Sequence, residues 1–287
     1  MVITMVVNME EMLLRAYKGK YAIPQFNINN LEWTRYILEE CQSNNSPVIL
    51  GVSEGATKYM GGYLTVSNLV KNLVKDLNIT IPVAIHLDHG SSVESCINAI
   101  NAGFTSVMID ASKYSLEENI KITKEVVDYA SNRGITVEAE VGHIGGTEDE
   151  IKADIAYAKL EDCIDLVQNT GIDFLAPALG SVHGLYKGEP CIDFERMKSI
   201  NEKLKMPLVL HGGTGLSNKI IKEAIANGIC KININTELQI AWSGSVREFL
   251  SQDTNEYDPR KIIRSGEKAV KKAVKNKIKL FGSEHKA

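Results

Sequence analysis

Eight times along this chain a short apolar, β-rich run is followed by a segment of helical period, and no other feature restricts the fold as much. The runs are Tyr21–Asn27, Pro47–Ser53, Ile81–Asp88, Ser106–Asp110, Thr136–Val141, Phe174–Ala178, Pro207–His211 and Lys231–Asn235. Between them lie Leu31–Asn44, Tyr63–Leu77, Val93–Asn101, Leu116–Arg133, Leu160–Thr170, Asp193–Leu204 and Asn218–Asn227. Alternating units of this kind set parallel strands side by side through right-handed crossovers. Eight of them predict a closed (β/α)8 TIM barrel of the α/β class. A dinucleotide-binding half would carry Gly-x-Gly-x-x-Gly after its first strand, but Pro24-Gln25-Phe26-Asn27-Ile28-Asn29-Asn30 stands there instead.

Helix ends support the reading. Ser115 with Glu118 three positions on forms an N-terminal cap, and Gly134 follows the basic turn at Arg133. Glu161-Asp162 open a helix that stops at Gly171, and Ser217 caps another that ends at Gly228. No low-complexity tract, charge block or Pro/Ser linker divides the 287 residues, so one domain over 1–287 is expected. Two segments break the rhythm: a long polar loop after the fifth strand, Gly142–Tyr157, with Gly145-Gly146 as a hinge, and a helical C-terminal tail with Tyr257-Asp258-Pro259-Arg260 at a tip. Loops this long in a compact barrel serve as lids or partner contacts.

Bulk properties exclude several classes. A net charge of −4 argues against a nucleic-acid partner. No apolar span reaches 18 residues, and the start Met1-Val2-Ile3-Thr4-Met5 lacks a basic region or cleavage site, so neither a membrane helix nor a leader is expected. Five cysteines, at 41, 96, 163, 191 and 230, are scattered without a Cys-x-x-Cys, as suits reduced core thiols and a cytoplasmic location.

Polar residues gather at the carboxyl ends of the predicted strands, where barrel catalysis sits. The third run ends in His86-Leu87-Asp88-His89-Gly90, the fourth at Asp110 and the fifth in Glu138-Ala139-Glu140. The sixth runs on to His183-Gly184, the seventh ends in His211-Gly212-Gly213-Thr214-Gly215 and the eighth in Asn233-Ile234-Asn235-Thr236. Five of six histidines (86, 89, 143, 183, 211) therefore fall on or just past strands. Three imidazoles from separate strands at one face suit a divalent transition ion, zinc first, with a position left open for substrate. His86 shares strand parity with Asp88 rather than His89 and reads as a bystander. Asp88 cannot readily ligate a metal held by its neighbour, so proton transfer suits it better, with helix capping as the plainer role. Asp110 and Glu140 are either a second, oxygen-ligand cation site or ordinary strand-end carboxylates. The glycine-rich turn after the seventh strand and the turn after the eighth make a phosphate site of backbone N–H groups. Arg260 stands ready for a second anion, on this barrel or a neighbouring subunit.

These strings, with Phe26-Asn27-Ile28-Asn29-Asn30, Ser53-Glu54-Gly55, Val137-Glu138-Ala139-Glu140 and Pro177-Ala178-Leu179-Gly180-Ser181-Val182-His183-Gly184, resemble the class II, metal-dependent fructose-bisphosphate aldolases of the shorter bacterial type. The resemblance runs from about Asn8 to the C-terminus. It implies reversible cleavage of fructose 1,6-bisphosphate to dihydroxyacetone phosphate and glyceraldehyde 3-phosphate in glycolysis and gluconeogenesis. By the same resemblance His89, His183 and His211 are zinc ligands, and Asp88 is the proton donor/acceptor on the C4 hydroxyl. Asp110 and Glu140 belong to a second cation site. Ser53, Gly184, Gly212, Gly213, Thr214, Asn233, Ile234, Asn235 and Thr236 contact substrate. Glu148 exchanges the proton at C3, and Arg260 holds the far phosphate, often from a partner subunit of a homodimer or homotetramer. A monovalent Na+ or K+ is a further cofactor expectation. Thr147 stands where some relatives carry a second Glu, and His143 follows no family pattern. No Schiff-base lysine is needed: Lys231, the one lysine near a strand, starts its run at the amino end.

Two rivals are of note. Tagatose-bisphosphate aldolases tend to carry His where Gly90 stands and Ala-Ser where Gly213-Thr214 stands. A metal-dependent barrel hydrolase would place His-x-His on its first strand, which here reads Gln25-Phe26-Asn27.

Overall fold

The protein is described by a computed structural model covering residues 5–148, 151–153, 156–186 and 188–287, the side chains of 145–148 and 151–153 excepted. Residues 1–4, at which the sequence reading looked for a leader, lie outside it. In chain order the strands are β1 (Ile23–Asn27), β2 (Val48–Ser53), β3 (Val83–Gly90), β4 (Ser106–Ile109), β5 (Thr136–Val141), β6 (Gly145–Glu148), β7 (Ile151–Ala153), β8 (Phe174–Pro177), β9 (Val182–His183), β10 (Leu208–Leu210) and β11 (Ile229–Ile234). Eight of them close a parallel barrel in the order β1-β11-β10-β8-β5-β4-β3-β2, the expected (β/α)8 architecture.

Local chemistry explains the alternation. Asn30, Ser92, Ser115, Asp193 and Ser217 each accept a hydrogen bond from the backbone N–H three residues on, opening helices Leu31–Ser43, Val93–Ala102, Leu116–Ser131, Phe194–Leu204 and Asn218–Ala226. Val, Ile and Leu on the outer strand faces bury against these helices in one continuous core.

A second core fills the lower barrel interior, where Ile23, Ile49, Ala84, Phe174 and Val209 meet Met9, Met12, Leu13 and Ala16. The last three residues lie on helix Glu10–Gly19, absent from the sequence reading, which plugs the barrel floor. Above that apolar layer the interior turns polar: Gln25, His86, Asp88, Glu138, His211, Lys231 and Asn233 are all buried.

The two departures from the rhythm are also resolved. In the loop after β5, β6 pairs antiparallel with β7 and parallel with β9, forming a three-stranded sheet. The C-terminal tail is three helices, Thr236–Gln252, Pro259–Arg264 and Glu267–Phe281; the last buries Val270, Val274, Ile278 and Phe281. No helix among the described residues is long and apolar enough to cross a membrane.

Candidate active site

The site depends on an irregularity in β3. Along a regular strand, side chains alternate, so His86 and Asp88 would face the barrel interior and His89 the helices. The β3–β4 pairing shifts register between Leu87 and Gly90, and His89 adopts a left-handed φ of 52°. This bulge turns His89 back over the barrel mouth, so that consecutive residues Asp88 and His89 serve one site. Histidine is one of the few non-glycine residues that visits this region. Such conformations cost about 1–3 kcal/mol and persist where function needs them.

His89, His183 and His211 meet across the mouth, with ring centroids 4.6 to 5.9 Å apart. One nitrogen of each lies within 4.8 Å of the others. Their outer nitrogens fix the tautomers of two rings. His211 Nε2 donates to Glu138 Oε1 at 2.9 Å, and His89 Nδ1 donates to Asp110 Oδ2 at 2.9 Å. His211 Nδ1 and His89 Nε2, only 2.8 Å apart, are then both lone-pair nitrogens, and such a pair calls for a cation between them. Burial holds the His211 and His183 imidazoles below their usual pKa, so both are neutral, as ligands must be. The donor set fits a divalent transition ion.

Asp88 lies beside the cluster, 1% exposed. Burial opposes its ionisation, but the Lys231 ammonium in the barrel interior favours the charged form and helps hold its carboxyl below the usual range. Three amides complete the cradle: Gln25 Nε2 and Asn27 Nδ2 donate to Oδ2 at 2.9 and 2.8 Å, and Asn233 Nδ2 to Oδ1 at 3.2 Å. Gln25 reaches Asp88 by passing over β2 at Gly51, where a Cβ would lie 2.4 Å from its Nε2. Because an ionised carboxylate only accepts, each amide must present its NH2 and turn its oxygen away. Gln25 Oε1, Asn27 Oδ1 and Asn233 Oδ1 are indeed buried acceptors without a partner among the described residues. Proton transfer, not helix capping, is what this setting suits: Ser92, not Asp88, caps the following helix.

Asp110 and Glu140 come together with His89 in a second cluster able to hold a cation. Burial opposes ionisation of Asp110, but the His89 hydrogen bond and two bonds from Ser112 keep its carboxyl low. Burial and the Asp110 charge push Glu140 well above its ordinary pKa, and its Oε2 has no partner among the described residues. A cation there would relieve both conditions. His143, unassigned from sequence, bonds Ser112 Oγ at 3.0 Å and so supports Asp110 from behind.

The other side of the mouth is made of backbone. Gly212 has φ 66°, and a Cβ on it would lie 2.2 Å from the Val182 carbonyl oxygen. At Gly213 a Cβ would meet Ile232 at 2.5 Å, and its N–H bonds Asn233 O. Thr214 Oγ1 accepts from Glu237 N at 3.4 Å, tying this turn to the start of helix Thr236–Gln252. Asn235, the residue before that helix, makes no side-chain cap; Glu237 N is taken by Thr214, and Leu238 N and Gln239 N bond the Asn235 carbonyl, so the helix opens with the Thr236 N–H at its head. Gly184, with φ 86°, follows His183 directly, and Ile234 is buried at the end of β11.

Other expected residues fall differently. Ser53 ends β2 in register with Asp88, and its Oγ caps helix Glu54–Tyr59 by accepting from Ala56 N. The Arg260 side chain is 89% exposed and bound to Asp258, and makes no hydrogen bond or ion pair with the site of its own chain among the described residues. Glu148 ends β6, but its side chain lies outside the described residues. Residues that sequence reasoning left out of the site are Gln25 and Asn27, Glu138, Lys231 and Ser112. Polar residues at one parity of a buried strand, as in Gln25/Asn27 and Glu138/Glu140, were the available signal. Lys231, expected far from the site, sends its ammonium up the interior to within 2.8 Å of Glu138 Oε2.

A closed parallel barrel that gathers three imidazoles, a buried acid and tight glycine turns at its carboxyl face defines a metal-dependent (β/α)8 enzyme. More particularly, the chain belongs to the class II fructose-bisphosphate aldolase family, whose model matches residues 7–286. It is 58% identical over 282 residues to the fructose-bisphosphate aldolase of Geobacillus stearothermophilus, covering 98% of each chain. Among solved structures it resembles the YdjI aldolase of Escherichia coli K12, with TM-score 0.84, 34% identity and coverage of 98% of this chain and 99% of that one. The fructose-bisphosphate aldolase of Campylobacter jejuni is similar at TM-score 0.83 and 25% identity, covering 98% and 97%. Membership of this family implies a divalent metal.

Proposed function

We propose that this chain, as one domain, reversibly cleaves fructose 1,6-bisphosphate into dihydroxyacetone phosphate and glyceraldehyde 3-phosphate in glycolysis and gluconeogenesis. The observation that carries the reading is the place of Asp88: an ionised, amide-cradled carboxylate beside a three-histidine cluster. His89, His183 and His211 would hold Zn2+, which when bound supplies Lewis-acid stabilisation of the negative charge left on the substrate oxygens. Asp88 takes the C4 hydroxyl proton as the C3–C4 bond breaks and returns it in the condensation direction. Gln25, Asn27 and Asn233 keep its carboxylate ionised and aimed. The Gly212–Thr214 turn, Gly184, Ser53 and the Asn233–Thr236 turn seat the phosphate and hydroxyls of the three-carbon half. Glu148 exchanges the proton at C3.

Asp110 and Glu140 would take a second divalent cation, and a monovalent Na+ or K+ completes the cofactor set. Arg260, which among the described residues pairs with Asp258 and with no group of its own barrel mouth, suits the far phosphate of a partner in a homodimer or homotetramer. Five free cysteines, four of them buried, suit a reducing cytoplasm. Substrate preference is supported at Gly90, where a Cβ would lie 2.7 Å from the Met108 carbonyl oxygen, so the histidine of tagatose-type relatives has no room.

The test is cleavage of fructose and tagatose 1,6-bisphosphates with and without a chelator. Fructose 1,6-bisphosphate is expected to be preferred, with activity lost to chelator and restored by zinc. Chelator-resistant turnover would sink the metal mechanism, and a preference for tagatose the substrate assignment.

A further inference from the structure

One buried ion pair inside the barrel is not used by that mechanism. Glu138 on β5 and Lys231 on β11 are both fully buried, and Lys231 Nζ donates to both carboxylate oxygens, at 2.8 and 3.1 Å. Taking two charges out of water costs several kcal/mol, and apolar residues of similar volume often replace such pairs without loss of stability. Packing therefore gives little reason for the pair at this height, directly above the apolar interior layer. Its other contacts supply one. Glu138 Oε1 also accepts from His211 Nε2 at 2.9 Å, and the remaining neighbour, His86 Nε2, stands 3.7 Å from Oε2. His86 is itself engaged at Nδ1 by Ser106 Oγ, at 2.9 Å.

We propose that Glu138, neutralised by Lys231, is a positioning residue that locks His211 with its proton on Nε2, so that Nδ1 faces the metal. The inference rests on reading the three histidines as the metal site. Of the contacts made by the His211 ring, the Glu138 bond is the one that distinguishes its nitrogens. On the other side, Nδ1 faces His89 Nε2 at 2.8 Å across the site, and Asn233 Nδ2 approaches it at 3.4 Å. Lys231 Nζ donates to both oxygens of Glu138, which leaves Oε1 an acceptor for the His211 N–H. Lys231 has a separate part. It cancels the charge that would otherwise be stranded in the barrel, so that the carboxylate orients the imidazole while the layer beneath the metal stays neutral overall. Asp110 acts on His89 in the same manner from the mouth, partly exposed to solvent; Glu138 does so from the dry interior.

The experiment measures zinc affinity of reconstituted apoprotein by chelator competition, and the visible absorption of the Co2+-substituted protein. Glu138→Leu/Lys231→Met removes both charges together and leaves the His211 proton without an acceptor. Zinc affinity is expected to fall roughly 10- to 100-fold, the usual loss when an outer partner of a metal ligand is removed, with the cobalt bands shifted. Glu138→Gln/Lys231→Met restores an uncharged acceptor and is expected to recover most of that loss. Wild-type affinity and unmoved bands in the Leu/Met variant overturn the proposal, as does failure of the Gln/Met variant to recover. Should the Leu/Met protein not fold, Glu138→Asp decides: it keeps the charge and Lys231 but withdraws the acceptor, so a fall of about tenfold supports the role and no change overturns it. Wild-type protein that binds neither zinc nor cobalt sinks the metal reading itself; normal wild-type binding with indifferent variants sinks only the inference.

Discussion

The two halves of the barrel mouth are made of different material. The half we propose for the metal is assembled from side chains on β1, β3, β5, β9 and β11 and from residues just past β4 and β10. The half we propose for phosphate is backbone, shaped by Gly212, Gly213 and the start of helix Thr236–Gln252. A site of side chains can be dismantled one group at a time. A site of N–H groups has nothing to delete; it fails only when an added atom displaces the chain. The halves should therefore respond to opposite kinds of substitution.

The largest effect is expected in the side-chain half. Asp88→Ala should lower kcat for cleavage by about 10²–10⁴-fold with zinc content unchanged, read by steady-state assay and metal analysis. Equal turnover would remove Asp88 from the chemistry. In the backbone half the damaging change is an addition. Gly212→Ala forces a Cβ against the Val182 carbonyl oxygen, and its left-handed backbone adds strain of about 1–3 kcal/mol. The expected result is a KM for fructose 1,6-bisphosphate raised by roughly 5- to 150-fold, as that energy implies, with metal affinity retained.

An intermediate effect concerns the buried imidazole beneath the metal half. Burial, helped by Lys231, depresses His86 from 6.5 to about 3. Between those values the unfolded chain binds a proton that the native state refuses. Stability therefore rises with pH through this window and falls on acidification below about 6.5, by up to about 1.4 kcal/mol per pH unit for one proton. His183 and His211 act in the same direction; carboxylates held low, such as Glu138 and Asp110, add their loss only below about 4.5. His86→Asn should flatten urea-unfolding stability between pH 6.5 and 5 by close to one proton's slope. An unchanged slope would show that His86 titrates normally.

The smallest effect belongs to a side-chain deletion in the backbone half. Thr214→Val loses one bond from Glu237 N and should cost about 1 kcal/mol of stability, with KM changed less than tenfold. A larger loss would mean that the phosphate half also depends on side chains.

The barrel itself was legible in the sequence, each strand falling within two residues of its expected bounds at either end. Strand alternation and helix caps are local, and short-range sterics and hydrogen bonds write them into neighbouring residues. Helix Glu10–Gly19 escaped because its apolar face has a partner only once the barrel floor exists. The histidines, Asp88 and the glycine turns were visible as polar interruptions at strand ends. Their supports were not. Gln25 reaches Asp88 only because Gly51 on the intervening strand has no side chain, and Lys231 enters the site by its length along the interior, not by its position in the strand.

The sequence by itself determined the eightfold alternation, the end of the barrel at which polar groups collect and, through matched strings, the family. Only the tertiary structure decided how those groups act. Whether Asp88 and His89 face the same way depended on a bulge, since strict alternation sends them apart. His211 Nε2 is engaged by a carboxylate 73 residues away in the chain, which no local pattern foretells. Backbone pattern is set between neighbours, whereas tautomer, ionisation and aim are set by whatever closure brings alongside, and closure is a property of the whole barrel.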